Sequence, residues 1–272
     1  MMNREERVRA ALASKDVDRV PVATWMHLSQ FDQDPISLAE AEVELTEKYD
    51  FDYIKMMPFG LYSTQDFGNQ LTIYCDPYEE PIVKRFAIDI VADKIQCGCS
   101  DGSQCMMKGF RIENHIFQQT VAGHFLQGRE WAEDCLDAGG ARCTAADQFP
   151  CKFNLLAICT LNGEDIYFNE VASYPVNAIN WHDRHTWPTL KEARNLTDKC
   201  LMAGIKSAPY FVDGVLQYDD IVHDGTPEEI TAHVKDAIEQ VDGKGLILGP
   251  GCVVNPKASE ENLRALRIAT EL

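Results

Sequence analysis

Apolar positions along the chain fall into two alternating patterns. Short runs that are apolar almost throughout occupy residues 20–25, 53–57, 117–122, 141–145, 153–159, 176–180, 210–215 and 245–248. Such runs suit parallel strands covered on both faces, because neither face then needs polar residues. Between them lie amphipathic stretches that open on a polar residue followed three positions later by Glu, the pattern of a reciprocally capped helix start. Asn3 with Glu6, Ser37 with Glu40, Thr189 with Glu192 and Thr226 with Glu229 fit it, and Pro227 adds a residue favoured in the first turn.

Eight strands alternating with helices predict a (β/α)8 barrel of the TIM type. One link is too short. Only residues 146–152 separate the fourth and fifth predicted strands, whereas a parallel crossover needs about a dozen residues. The barrel is therefore expected to be shortened or distorted within 91–155. Residues 70–75 and 81–90, with Asp76-Pro77 between them, predict an inserted hairpin after the second strand. The 272 residues suffice for one large core, and a single domain over 1–272 is expected.

Composition narrows the function classes. A net charge of −18 argues against binding nucleic acid, whose affinity rests on clustered Lys and Arg. The same surface would repel a polycarboxylate unless the pocket were locally basic. No apolar stretch approaches the ~20 residues of a membrane span, and the chain starts as a charged amphipathic helix, so a cytoplasmic protein with no membrane partner is expected. Ten cysteines then read as thiols rather than a disulfide framework. Cys143, Cys151 and Cys159 sit in apolar sequence as packing residues. The run CGCSDGSQC, with Cys97, Cys99 and Cys105, reads either as a second metal site completed by His115 or Cys143, or as an exposed loop replacing a lost helix.

A barrel carries its active site at the C-terminal ends of its strands. That rule selects Trp25, His27, Lys55, Met57, Cys159, His182, Asp183, Arg184, Asp213 and Cys252. His27, His182, Asp183 and Asp213 are the candidate catalytic groups, and Trp25, Lys55 and Met57 the candidate ligand contacts. His182 has a plainer alternative, a hydrogen bond to Asp183 or to a backbone carbonyl that shapes the rim.

Four stretches resemble the uroporphyrinogen decarboxylase superfamily: NREERVRAALASKDVDRVPV, YDFDYIKMMPFGLYSTQDFG, YPVNAINWHDRHTWPTLKEA and GLILGPGCVVNPKASEENLRAL. The family includes tetrapyrrole decarboxylases and zinc-dependent corrinoid methyltransferases. Decarboxylation would be expected to use arginines after the first strand and an aspartate after the second. Here those loops read TWMHLSQFD and KMMPFG, and Arg19 precedes its strand. The methyltransferase branch is matched by the closing PGC, whose Cys252 implies a zinc ligand. Cys159 stands at that branch's second cysteine, while Ala157 replaces its histidine, leaving His27 or His182 as the candidate nitrogen donor. The resemblance thus implies an enzyme that moves a methyl group between a corrinoid and a thiol or related acceptor, with zinc at Cys252, Cys159 and His182. A divergent tetrapyrrole decarboxylase and a non-catalytic subunit with a decayed site are the alternatives. It also implies a small-molecule or tetrapyrrole ligand, a corrinoid protein as a candidate partner, and a homodimer.

Overall fold

The computed structural model describes residues 1–55, 57, 166, 168–208, 210 and 217–271, together with the backbone of residues 70–72, 82–85, 117–123, 153–159, 209, 211, 212, 215 and 216 and the side chains of 155–158. Helix α1 spans Arg4–Leu12 and α2 spans Pro35–Lys48. Strands β1 (Gln70–Thr72) and β2 (Ile82–Arg85) form an antiparallel pair, the expected hairpin. There follow β3 (Phe117–Gly123), β4 (Phe153–Cys159), α3 (Phe168–Ala172), β5 (Ala178–Asn180), α4 (Leu190–Leu196) and β6 (Cys200–Ile205). The chain closes with β7 (Ser207–Val212), β8 (Val215–Asp220), α5 (Ile221–Asp224), α6 (Pro227–Glu239), β9 (Leu246–Pro250) and α7 (Glu260–Ile268).

The central sheet has the order β3-β4-β5-β6-β9. Its pairs β4-β5, β5-β6 and β6-β9 are parallel, which makes this an α/β protein. Residues 20–23 extend the array beside β9: Leu248 N donates to Pro21 O at 2.8 Å and Ala23 N to Leu248 O at 3.2 Å. The next segment follows on, with Asp52 N donating to Val22 O at 2.9 Å. The first two predicted runs thus lie beside β9 as staves in the expected order without forming ladders: the first makes one parallel bridge, Val22 to Leu248, and the second joins it through the single backbone bond from Asp52 N.

Two expectations are corrected. The run at 210–215 is not a stave of the central sheet: Ser207–Val212 folds back on Val215–Asp220 as an antiparallel hairpin. The stave is instead Cys200–Ile205, buried at every position, which follows α4 so closely that no turn cluster announces it. The run at 117–122 does form a strand, but it pairs antiparallel with β4, Phe117 opposite Cys159. The distortion anticipated within 91–155 thus includes a reversed strand at the edge of the parallel array. The predicted strand at 141–145 lies outside the described residues, as do Cys97, Cys99, Cys105, His115, Cys143 and Cys151.

Helices start where local chemistry directs. The boxes at Asn3/Glu6, Thr189/Glu192 and Thr226/Glu229 are all formed, each side chain accepting the N–H three residues on. α2 begins earlier than expected because Asp34 is its cap, accepting from Ser37 N at 2.9 Å, and Pro35 supplies a fixed φ for the first turn. α6 buries Ile230, Val234 and Ala237, spaced one helical turn apart, against β6. Each of the two branched side chains contributes about 1.5–3 kcal/mol when withdrawn from water.

At the pole holding the N-terminal ends of the staves, Asp52 is fully buried and its carboxylate is fully engaged. Arg7 Nη1 donates at 2.7 Å, Arg19 Nη1 at 2.5 Å, Arg19 Nη2 at 3.0 Å and Val22 N at 2.8 Å. Arg7 also grips Asp18 at 2.7 Å, and that hydrogen bond holds the Asp18 carboxyl well below the usual carboxylate range. Arg19 accordingly sits away from the mouth, as its place before the first stave predicts.

Candidate active site at the strand ends

Residues following β5, β9 and the first two staves converge at the opposite pole. The segment after β9 is pinned from three sides: Val254 N donates to Trp25 O at 2.9 Å, Ser207 Oγ to Val253 O at 2.7 Å, and Asn255 N to Asp220 Oδ2 at 2.7 Å. These bonds hold half-buried Cys252, which is outside any disulfide, at the rim between the first stave and the β7-β8 hairpin. Two glycines allow close approach. A Cβ on Gly249 would stand 2.8 and 2.9 Å from the Trp25 indole, and one on Gly251 would stand 3.0 Å from His182 Cα and 3.1 Å from its ring. Gly249 therefore gives the indole its place, and Gly251 lets His182 lie against the corner that carries Cys252.

His182 is 2% exposed, and neither ring nitrogen has a hydrogen-bond partner among the described residues. Among the described residues, neither Asp183 nor a backbone carbonyl bonds the ring. Asp183 turns the other way. Its Oδ1 accepts from Gly204 N at 3.0 Å and its Oδ2 lies 3.4 Å from Arg184 Nε. Burial pushes its carboxyl up to about 6 against the attraction of that guanidinium. Arg184 continues outward to Gly204 O, His233 O and Asp236, so Asp183 and Arg184 tie the loop after β5 to β6 and α6. His233 accepts from Lys206 N at 3.0 Å, and burial pushes its imidazole down to about 4.

On the first-stave side, Lys55 is buried with Nζ 4.0 Å from the Trp25 ring centroid, a cation on an aromatic floor. Met57 is buried beside it in sequence, and its N–H donates to Glu42 Oε1 at 2.7 Å. Glu42 is 5% exposed, its other oxygen has no partner among the described residues, and burial pushes its carboxyl up to about 7. His27 is half-buried with Nδ1 unpartnered among the described residues, as is the buried Thr24 hydroxyl. Asp32, close enough for His27 to lower its pKa, is nonetheless raised by burial.

Buried polar atoms in native proteins are nearly always hydrogen-bonded, and a cluster of exceptions needs a cause. Here the exceptions include Thr24, His27, Glu42 and His182, which come from segments that border one pole, as a ligand site would require; Asp32, Asp183 and His185 also carry such atoms. Glu42 was not among the sequence candidates. The signal was available, since Leu38, Glu42 and Leu45 share one helical stripe, but an acid on a helix so rich in Glu reads as solvated.

As potential metal donors, Cys252 and His182 come from neighbouring corners. Cys159 ends β4 two residues beyond Ala157, just as His182 stands two beyond Asn180, and Ala157 and Asn180 are register partners. The Cys159 side chain and the whole of Asp213 lie outside the described residues. Among the described residues no three His, Cys, Asp or Glu side chains form a group suited to a metal.

Comparison with known proteins agrees with this architecture. The uroporphyrinogen decarboxylase (URO-D) family model matches residues 162–271, the part that holds β5, β6, β9, His182 and Cys252. No match is found among curated proteins. In fold, the chain is similar to a methyltransferase from Methanosarcina mazei, with a TM-score of 0.54 and 12% identity, over 99% of this chain and 98% of that one. No described helix is long and apolar enough to cross a membrane. The resemblance to the uroporphyrinogen decarboxylase family is thus carried in sequence by residues 162–271, and the likeness to the methyltransferase is one of fold.

Proposed function

We propose that this chain is a cytoplasmic, methyltransferase-like enzyme of the uroporphyrinogen decarboxylase family, moving a methyl group between a corrinoid and a thiol or related acceptor. One observation carries the reading: a buried imidazole, His182, with both nitrogens unpartnered among the described residues, packed against the glycine that precedes Cys252. Imidazole and thiolate are the donors zinc prefers, and Cys159, two residues beyond the last β4-β5 register pair as His182 is, is the third candidate ligand. Zinc so held would lower the pKa of a substrate thiol and keep it as the thiolate that accepts the methyl group.

The remaining groups divide the labour around that centre. Trp25 and the Lys55 ammonium above it form a flat, cationic floor for a ligand. Glu42, its carboxyl pushed up to about 7 by burial, is an acid able both to give and to take a proton close to neutrality. Asp183 and Arg184 hold the His182 loop to β6 and α6.

Methylcobalamin incubated with a simple thiol tests the reading through the visible spectrum of the corrinoid. The account predicts thiol-dependent loss of the methylcobalamin bands that disappears in Cys252→Ser and in His182→Ala. Turnover of a porphyrinogen, unaffected by Cys252→Ser, would instead establish the tetrapyrrole decarboxylase. Inertness toward both would leave a binding subunit.

A further inference from the structure

Asn180 is the last residue of β5 and is 1% exposed. Its side-chain amide makes two buried hydrogen bonds, Nδ2 donating to Met202 O at 2.7 Å and to Pro250 O at 3.0 Å. The three strands involved are consecutive in the sheet, β5-β6-β9. The β5-β6 ladder runs as far as Ile179 opposite Leu201, and the Asn180 amide makes the next connection, to Met202. The β6-β9 ladder continues to Ile205 opposite Pro250, where the chain turns to Gly251 and Cys252. One side chain therefore bonds the carbonyls of two other strands, two residues before His182 on its own strand and two before Cys252 on β9. The chemistry requires an amide. A carboxylate would set negative charge against two carbonyl oxygens, and a hydroxyl has one proton to give.

We propose that Asn180 is a positioning residue that fixes the corner after β9 relative to the loop after β5, so that the Cys252 thiol and the His182 imidazole are held as one pair. A strand-terminal amide spent only on general stability would be interchangeable with good packing. This one holds the β9 end of the Cys252 corner, where among the described residues the other tie is Gly251 N to Ile205 O at 3.1 Å, while the bonds of residues 253–255 hold the far end.

The chain contains its own control. Cys200, in β6, is fully buried and its thiol is pushed up to about 12 by that burial, so it stays unreactive while the core is folded. The experiment is peptide-resolved alkylation by iodoacetamide of the full-length, metal-free protein, comparing wild type with Asn180→Leu and Asn180→Asp. The expected result is a rise of about fivefold or more in the Cys252 rate for both variants, with Cys200 still protected. Relative to wild type at each pH, Asn180→Asp should recover toward wild-type protection as the pH is lowered, because a buried carboxyl that regains its proton can donate one of the two bonds. Asn180→Leu should show no such recovery. Equal Cys252 rates in all three proteins, or a parallel rise at Cys200 that marks general loosening, would overturn the proposal.

A second readout rests on the metal-thiol reading. Cobalt(II) affinity, followed by the thiolate-to-cobalt absorption, should fall at least tenfold in Asn180→Leu. A wild type that binds no cobalt would refute the metal centre while leaving the alkylation result to decide the role of Asn180.

Discussion

The two poles of the sheet treat buried charge in opposite ways. At one, Asp52 is surrounded by two guanidiniums and a backbone N–H, and its carboxylate oxygens accept four hydrogen bonds. At the other, Glu42 and His182 are just as inaccessible, yet one oxygen of the first and both nitrogens of the second have no partner among the described residues. A fully engaged buried charge is a device for holding structure, whereas an unpartnered one costs stability and persists where a ligand uses it. TIM-type barrels divide stability and chemistry between their two ends in the same way.

The largest effect should come from breaking the closed pole. Asp52→Ala leaves Arg19 and one side of Arg7 buried without their main counter-charge, and the expected loss is about 3–5 kcal/mol, read from urea denaturation midpoints. A loss below about 1 kcal/mol would mean that water reaches the two arginines and that the contrast between the poles is overdrawn.

A smaller effect is expected at the floor of the mouth. In Gly249→Ala the new methyl meets the rigid Trp25 indole at 2.8–2.9 Å, so the ring and Lys55 must shift together. The expected cost is about 1–3 kcal/mol, together with a red-shifted tryptophan emission if the indole is displaced toward solvent. An unchanged midpoint and spectrum would show that Trp25 does not depend on that glycine.

Glu42→Gln should move stability the other way. Its amide oxygen can still accept from Met57 N–H, while the cost of ionising a buried acid disappears. The sign follows from the raised pKa. The unfolded chain releases this proton near 4.5 and the folded chain near 7, so the wild type loses stability as pH rises between those values. The variant should therefore match the wild type near pH 4 and exceed it by on the order of 1–3 kcal/mol at pH 8, with slower methyl transfer. A gap that does not change with pH would remove Glu42 as a titrating group of the mouth.

How far these features could be read from sequence depends on how local their causes are. The capped helix starts at Asn3, Thr189 and Thr226 are decided within four residues, and the sequence shows them directly. The start of α2 was displaced because Asp34, not Ser37, takes the cap, two polar residues competing within one turn. Strand β6 escaped notice for a non-local reason: CLMAGI and SAPYFV are both apolar, and only tertiary packing makes the first a buried stave and the second half of a hairpin. At the candidate site, Cys252, His182, Trp25 and Lys55 are residues that the rule that chemistry follows strand ends selects from the sequence. Asp183 was named by the same rule but turns toward β6 and α6, since the direction of a loop side chain is set by its partner, Gly204 N. Glu42 and Asn180 were missed because their significance lies in what they reach, Met57 N in one case and the carbonyls of two other strands in the other.

The central claim is that His182 and Cys252 form the core of a metal-thiol centre. It is tested most directly by zinc stoichiometry of the full-length protein, measured by mass spectrometry after zinc loading and exhaustive buffer exchange, alongside Cys252→Ser and His182→Ala. The account predicts about one zinc per chain in the wild type and its loss in both variants; a stoichiometry unchanged by either substitution, or no retained zinc in the wild type, would contradict it.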